Sequence, residues 1–283
     1  MNFFVTGATG KIGSRFVPRL LQRGHHVKLL VRDTAKADWL HQQGAEILEG
    51  DLLDKDKWGA ALRGTDVVVH LAAQFRGVDE NTARMSNLDA SIALARAALK
   101  ADVPRFVFSS TNLVYGSGNL SRPHREDDEL KPALPYPQTK AAAEDVLLSL
   151  HRDHGLGLRI LRLAFVYGER DPHIAEFLPF MRRWNPAKRL HMVHHADVSQ
   201  ALMLASSLSG IDGQIYNVAD DAPITAAELF QFHDSQISQI SSETEQQSFN
   251  PWDMIVDTMR IRNELHYRPI FPSFYSARDA GVL

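Results

Sequence analysis

The sequence predicts an α/β protein built on a doubly wound parallel sheet, with a smaller C-terminal lobe for substrate. Two observations carry this. Short β-branched runs alternate with longer amphipathic stretches through the first half of the chain, as in a parallel sheet covered by helices on both faces. The first of those runs leads straight into three glycines that open a helix.

Taken in order, the strands are Phe3–Thr6, Val27–Val31, Glu46–Leu48, Val67–Leu71, Phe106–Ser109 and Leu158–Leu163. Most are apolar throughout, which strands buried on both faces require. Helices at Ile12–Arg23, Asn81–Ala101 and Tyr136–His154 fill gaps between them, the last closed by Gly155 as a C-terminal cap. Residues 1–165 thus form a dinucleotide-binding domain. Beyond Phe165 the alternation becomes irregular, and Pro172, Pro179 and Pro186 punctuate short segments. Residues 166–283 therefore read mainly as the substrate-binding lobe, with a segment near 190–220 returning to the sheet through a strand at Gln214–Val218. Ser235–Ser248, rich in Ser, Gln and Glu, reads as a mobile segment.

Composition narrows the function. An apolar fraction of 44% and a charged fraction of 23% are those of an ordinary globular enzyme, so a buried core is expected. A net charge of −3 offers no basic field for collecting phosphates, which removes nucleic acid as an expected partner. No apolar run approaches the ~20 residues of a membrane span, and the first residues read as a strand rather than a secretory signal. The absence of cysteine excludes disulfides and zinc–thiolate sites, in keeping with a cytoplasmic protein. Histidines are numerous, but His25–His26, His194–His195 and the His151/His154 pair lack the partners a metal needs, and no metal is expected.

The bend Thr6-Gly7-Ala8-Thr9-Gly10-Lys11-Ile12-Gly13 is a phosphate site in the making. Glycine lets backbone approach a pyrophosphate, and the helix that follows offers unpaired N–H groups and roughly half a positive charge. Gly7, Thr9, Gly10, Lys11, Ile12 and Gly13 are the candidate cofactor contacts there. Farther on, Tyr136 and Lys140 stand four residues apart, on one face of a helix. A phenol titrates near ~10, and its use as a base near neutrality requires lowering that by about 3 units, roughly 4 kcal/mol. A neighbouring ammonium supplies part of this. Upstream, a strand ends in the hydroxyl residues Ser109, Ser110 and Thr111.

The Gly7-x-x-Gly10-x-x-Gly13 spacing departs from the commoner G-x-G-x-x-G and resembles the turn of extended short-chain dehydrogenases/reductases, the NAD(P)-dependent epimerase/dehydratase-like proteins. The resemblance runs nearly end to end and implies a Rossmann fold. It implies that Thr111 holds the substrate oxygen, Tyr136 shuttles the proton, and Lys140 tunes Tyr136 and holds the nicotinamide ribose, with Ser109 alongside. It also implies that Asp51-Leu52 meets the adenine, that Leu71-Ala72-Ala73 lies along the cofactor, and that Asn87 steadies the site. Where the NAD pattern has an acidic residue, this chain has Val31 followed by Arg32. A guanidinium suits a 2′-phosphate, so NADP is favoured over NAD, with Lys11 and Lys36 assisting; Asp33 turned toward a ribose is the alternative.

Gln74, Thr111, Asn112 and Phe165 are the candidate substrate contacts. Phe165 stands where sugar-nucleotide epimerases carry an asparagine, and Asn112-Leu113 stand where the family's dehydratases carry acidic residues. The acidic run Glu126–Glu129 is expected to be a solvated loop. The expected function is hydride transfer to or from a hydroxyl or carbonyl carbon of a small molecule. A nucleotide-sugar epimerase and a non-catalytic NADP-sensing module are the alternatives. The family also implies a homodimer through the helices Asn81–Ala101 and Tyr136–His154.

Overall fold

The computed structural model describes residues 1–75, 77–117, 121–233 and 248–283; most of the stretch Ser235–Ser248 lies outside them. Strands β1 (Asn2–Thr6), β2 (His26–Val31), β3 (Glu46–Glu49), β4 (Val67–His70), β5 (Arg105–Thr111) and β6 (Leu158–Leu163) build one parallel sheet. Two short strands, β7 (Phe165–Tyr167) and β9 (Met192–His194), pair beside it, as do β8 (Arg189–Leu190) and β11 (Ile224–Thr225). The seventh sheet strand, β10 (Gln214–Val218), joins β6, giving the order β10-β6-β5-β4-β1-β2-β3. The order reverses between β1 and β4, the place where sheets of this kind take their ligands, at the carboxyl ends of the strands.

Period-two alternation decides which side chain meets which layer. Phe3 and Val5 of β1, Val107 of β5 and Leu161 of β6 face one apolar layer, shared with Phe16 and Leu20 of α1 (Gly13–Gln22) and Val198 and Leu202 of α8 (His195–Ser207). Phe4, Phe106, Phe108 and Ile160 face the other, with Leu94 and Ala98 of α5 (Ala90–Lys100) and Ala143 and Leu147 of α6 (Pro135–His154). A third cluster unites Tyr167, Leu178 of α7 (His173–Met181), Met192, Leu229 of α9 (Ala226–His233) and Phe274.

The long helix α6 starts with Pro135, whose fixed φ suits the first helical position, and ends on Gly155 in the left-handed region (φ 73°, ψ 27°). A buried ion pair ties it to the sheet. Arg162 of β6 meets Glu144 of α6 at 2.7 Å, and its guanidinium also donates to the Tyr115 hydroxyl (2.8 Å) and the Glu126 carbonyl (3.0 Å).

The acidic run differs from expectation at this point. Glu126 is buried and accepts a hydrogen bond from the backbone N–H of Asn217 (2.9 Å), while Asp128 takes both nitrogens of Arg122 (2.6 and 2.9 Å). Only Asp127 and Glu129 are exposed. The loop is drawn inward because β10 ends against it, a contact between residues 91 positions apart.

Candidate active site

The bend after β1 is shaped by contacts that leave no room for side chains. Gly7 has φ of 72°, and a Cβ there would lie 2.5 Å from the Ala72 nitrogen. A Cβ on Gly13 would lie 2.2 Å from the Gly7 carbonyl oxygen, so α1 can pack this close to β1 only with glycine. Gly10 differs: it is exposed, and its Cβ would meet nothing nearer than the Gly7 oxygen at 3.2 Å. No side chain caps the start of α1, and no acidic residue sits in its first turn. This glycine-lined cradle at a helix N-terminus fits a pyrophosphate. Thr9, Lys11 and Ile12 lie along the same bend.

Lys11 is engaged elsewhere. Its ammonium pairs with Asp171 (3.0 Å) and Glu176 (2.7 Å), so it ties the bend to α7 and the turn before it. Arg15 and Arg19 reinforce that tie through Glu169. Arg32 is exposed just past β2, while Val31 is buried; Asp33 pairs with Lys36 at 3.6 Å. Asp51 accepts the N–H of Leu53 on its carboxylate and the indole N–H of Trp58 on its carbonyl, with Leu52 partly buried beside it. Leu71, Ala72 and Ala73 follow β4 directly against Gly7.

A buried chain of hydrogen bonds, unforeseen in the sequence, runs from the bend to α6. Ser91 donates its hydroxyl to the Asn87 carbonyl (2.5 Å), so it must accept from the Nε2–H of His70 (2.9 Å). That leaves His70 Nδ1 to accept from the Thr6 hydroxyl (2.6 Å), and Thr6 in turn accepts the N–H of Ala72 (3.4 Å). Burial, aided by the nearby Lys140, pushes His70 down to about 3, so the ring is neutral and holds this single tautomer. Asn87 sits in a π-helical turn, Met85–Asp89. Its side chain clamps the backbone of Gln74 at both ends (2.7 and 3.0 Å) and donates to Thr139 of α6 (3.1 Å). Asn87 is therefore buried and joins the loop after β4 to α6. The only sequence signal for His70 is a polar residue ending an otherwise apolar strand.

At the end of β5, Ser109, Ser110 and Thr111 are all buried. Thr111 accepts the N–H of Leu113 (3.2 Å), which leaves its hydroxyl hydrogen available to a ligand. Lys140 is fully buried, donates to the Ser109 carbonyl (2.7 Å) and lies 4.3 Å from the centre of the Phe108 ring. Burial lowers its amine to about 7, against the opposing pull of Glu144 one turn on. The phenol of Tyr136 is shifted the other way, above its ordinary range, by burial. The hydrogen bond Lys140 makes is to the strand rather than to the phenol.

Two candidate substrate contacts part company. Asn112 is buried and donates to the Met254 carbonyl (3.0 Å), so it joins the turn after β5 to the C-terminal segment. Phe165 instead stacks on His173 (4.0 Å, 13°) and packs against Phe177 (5.2 Å). Asn87 holds Gln74 through its backbone. Three of the paired histidines serve structure: His194 caps α8, His195 pairs with Asp171 (2.8 Å), and His151 bonds the Leu156 carbonyl (2.7 Å). Among the described residues no cluster is arranged to hold a metal, and no helix is long and apolar enough to cross a membrane.

A doubly wound sheet with a glycine cradle at its switch point, and a half-buried tyrosine one helical turn from a buried lysine, defines a dinucleotide-dependent enzyme. Residues 3–219 match the NAD dependent epimerase/dehydratase family, and the chain belongs to it, as an oxidoreductase of the extended short-chain dehydrogenase/reductase type. The chain is 32% identical over 79% of its length to 70% of a 4-hydroxy-2-methyl-3-oxo-4-farnesyl-3,4-dihydroquinoline-1-oxide ketoreductase from Stigmatella aurantiaca. Among solved structures it resembles a UDP-glucose 4-epimerase from Thermotoga maritima (TM-score 0.82, 25% identity, 98% of this chain and 96% of that one). It resembles equally a dTDP-glucose 4,6-dehydratase from Streptomyces venezuelae with NAD and TYD bound (TM-score 0.82, 26% identity, 99% and 95%).

Proposed function

We propose that Tyr136 transfers the proton, that Thr111 holds the reacting oxygen and that Lys140 favours the ionised phenol, in a reaction that reduces a carbonyl or oxidises a hydroxyl of a small molecule. A nicotinamide cofactor, when bound, supplies or takes up hydride at the reacting carbon. The observation that carries this reading is the pair Tyr136 and Lys140 on one turn of α6, beside the hydroxyl-lined end of β5. The depressed amine of Lys140 burdens the fold at neutral pH, and a buried, shifted group of this kind beside a phenol is what acid–base chemistry uses. In the reductive direction Tyr136 gives its O–H proton to the substrate oxygen while Thr111 donates a hydrogen bond to it; a charged Lys140 then stabilises the phenolate left behind. The glycine cradle fits the cofactor's pyrophosphate, and the lobe at 166–283 carries most of the substrate contacts.

Tyr136→Phe tests this directly. Binding of NADH or NADPH, followed by quenching of protein fluorescence, is expected to persist while turnover falls at least ~100-fold. Unchanged turnover removes Tyr136 from the mechanism. NADP is the favoured cofactor because Arg32 stands exposed at the tip of β2, although the Streptomyces venezuelae neighbour carries NAD. Arg32→Ala is expected to weaken NADPH binding roughly tenfold or more and leave NADH untouched.

Reductase is favoured over epimerase by Phe165 and by the Stigmatella relative, which is named for a ketone on a farnesyl-bearing ring system. The similarity to a UDP-glucose 4-epimerase keeps epimerisation as the second reading. A homodimer through α5 and α6 belongs to the same proposal.

A further inference from the structure

An aromatic strip runs from the catalytic tyrosine into the second lobe. Phe75, in the loop after β4, meets Tyr136 edge-to-face (4.7 Å, 77°) and His173 likewise (6.1 Å, 88°). His173 stacks on Phe165, Phe165 packs on Phe177, and Phe177 meets Trp184 edge-to-face (5.5 Å). These residues come from four places in the chain: the loop after β4, the start of α6, β7, and α7 with the turn that follows it. The strip is not sealed. Phe75 is 40% exposed and Phe180, at 6.0 Å from Phe177, is 59% exposed. Leu134, two residues before Tyr136, is 64% exposed. Partly exposed aromatic surface beside the proposed proton donor marks where a ligand's apolar body lies.

Three of the cations nearby are committed. Lys188 pairs with Asp253 (2.7 Å) over the Trp184 ring, Arg189 bonds the Pro251 carbonyl (2.8 Å) over Trp252, and Lys11 is held by Asp171 and Glu176. A diphosphate that recruited any of these three would have to break its existing contact. A flat hydrocarbon ring would not.

We propose that the substrate is an apolar ring ketone, or the matching secondary alcohol, whose ring body lies on the Phe75–His173–Phe165–Phe177 strip. The proposal rests on the reading of Tyr136 as proton donor. In reduction the carbonyl carbon gains a hydride and its oxygen gains the Tyr136 proton. The two-electron reductant is the dihydronicotinamide cofactor, which is oxidised as the C=O bond becomes C–O–H.

The test measures NADPH- and NADH-dependent reduction of 2-tetralone and of dihydroxyacetone, a ketone without an apolar body. Conversion of UDP-glucose and dTDP-glucose is assayed in parallel. The expected result is a kcat/KM for 2-tetralone about 100-fold or more above that for dihydroxyacetone, since burial of a ring face contributes most of the difference. Phe165→Asn and Phe75→Ala should each lower kcat/KM for 2-tetralone about tenfold, chiefly through KM, with cofactor quenching unchanged. Equal efficiency on the two ketones overturns the substrate class. So does conversion of either sugar nucleotide with 2-tetralone untouched, or a protein that binds cofactor and reduces neither ketone. The underlying reading fails separately: ring preference retained with Tyr136→Phe as active as the parent would keep the strip and discard the proton donor.

Discussion

Replacing Lys140 with methionine should make the fold more stable and the enzyme inactive. The amine titrates at about 7 in the folded protein because burial opposes its charge, against 10.5 for an ordinary lysine. A lysine depressed in this way binds its proton less readily when folded than when unfolded. Its penalty is therefore full below pH 7, declines from 7 to 10.5, and vanishes above, so its contribution to stability improves as pH rises. At ~1.4 kcal/mol per pKa unit, the penalty is about 4 kcal/mol at pH 7 and about 2 kcal/mol at pH 9.

Methionine removes the titration while filling the space. It also leaves the Ser109 carbonyl without its partner, which costs ~1–3 kcal/mol at either pH. The net gain at pH 7 is thus smaller than 4, but the difference between the two pH values, about 2 kcal/mol, survives because the carbonyl does not titrate. Neutral His70, down at about 3, adds nothing over that range. Urea unfolding of parent and variant, followed by the fluorescence of the 4 tryptophans, reads the quantity directly. A stability difference that is the same at pH 7 and pH 9, or larger at pH 9, refutes the reasoning.

Two further outcomes concern the frame around the site. Glu144→Ala strands the buried Arg162 guanidinium, and unfolding free energy should fall by ~3–5 kcal/mol; the double replacement Glu144→Leu with Arg162→Met should restore most of it. A loss under ~1 kcal/mol for the single variant would show that the pair is not sealed from water. Gly13→Ala forces a Cβ to within 2.2 Å of the Gly7 oxygen, so the bend must open. Cofactor binding should weaken by more than tenfold while stability drops ~1–3 kcal/mol, and a tight-binding variant would count against the cradle.

Much of the frame was legible in the chain because it is local. The strand Leu158–Leu163 stands where its apolar pattern puts it, although two of its residues are arginines. Gly155 closes α6 in the left-handed region that only glycine enters easily, and Gly7 and Gly13 of the bend carry the close approaches their spacing implies. Tyr136 and Lys140 share a turn of helix for the same reason, since a spacing of four residues fixes the face.

What the sequence determined by itself is the set of elements, their parallel stacking and the residue types available at the carboxyl edge of the sheet. Those follow from periods of two and 3.6 residues and from backbone preferences that need no distant partner. Tertiary structure alone decided which groups are committed. Lys11 meets Asp171 160 positions away, Glu126 is pulled inward by the end of β10, Asn112 is bound to Met254, and His70 links Thr6 to Ser91. The same holds for the strip of Phe75, Phe165, His173 and Phe177, whose rings come from separate loops and helices. A hydrogen bond or ring contact depends on the ångström placement of residues far apart in the chain, and residue spacing carries no record of that placement.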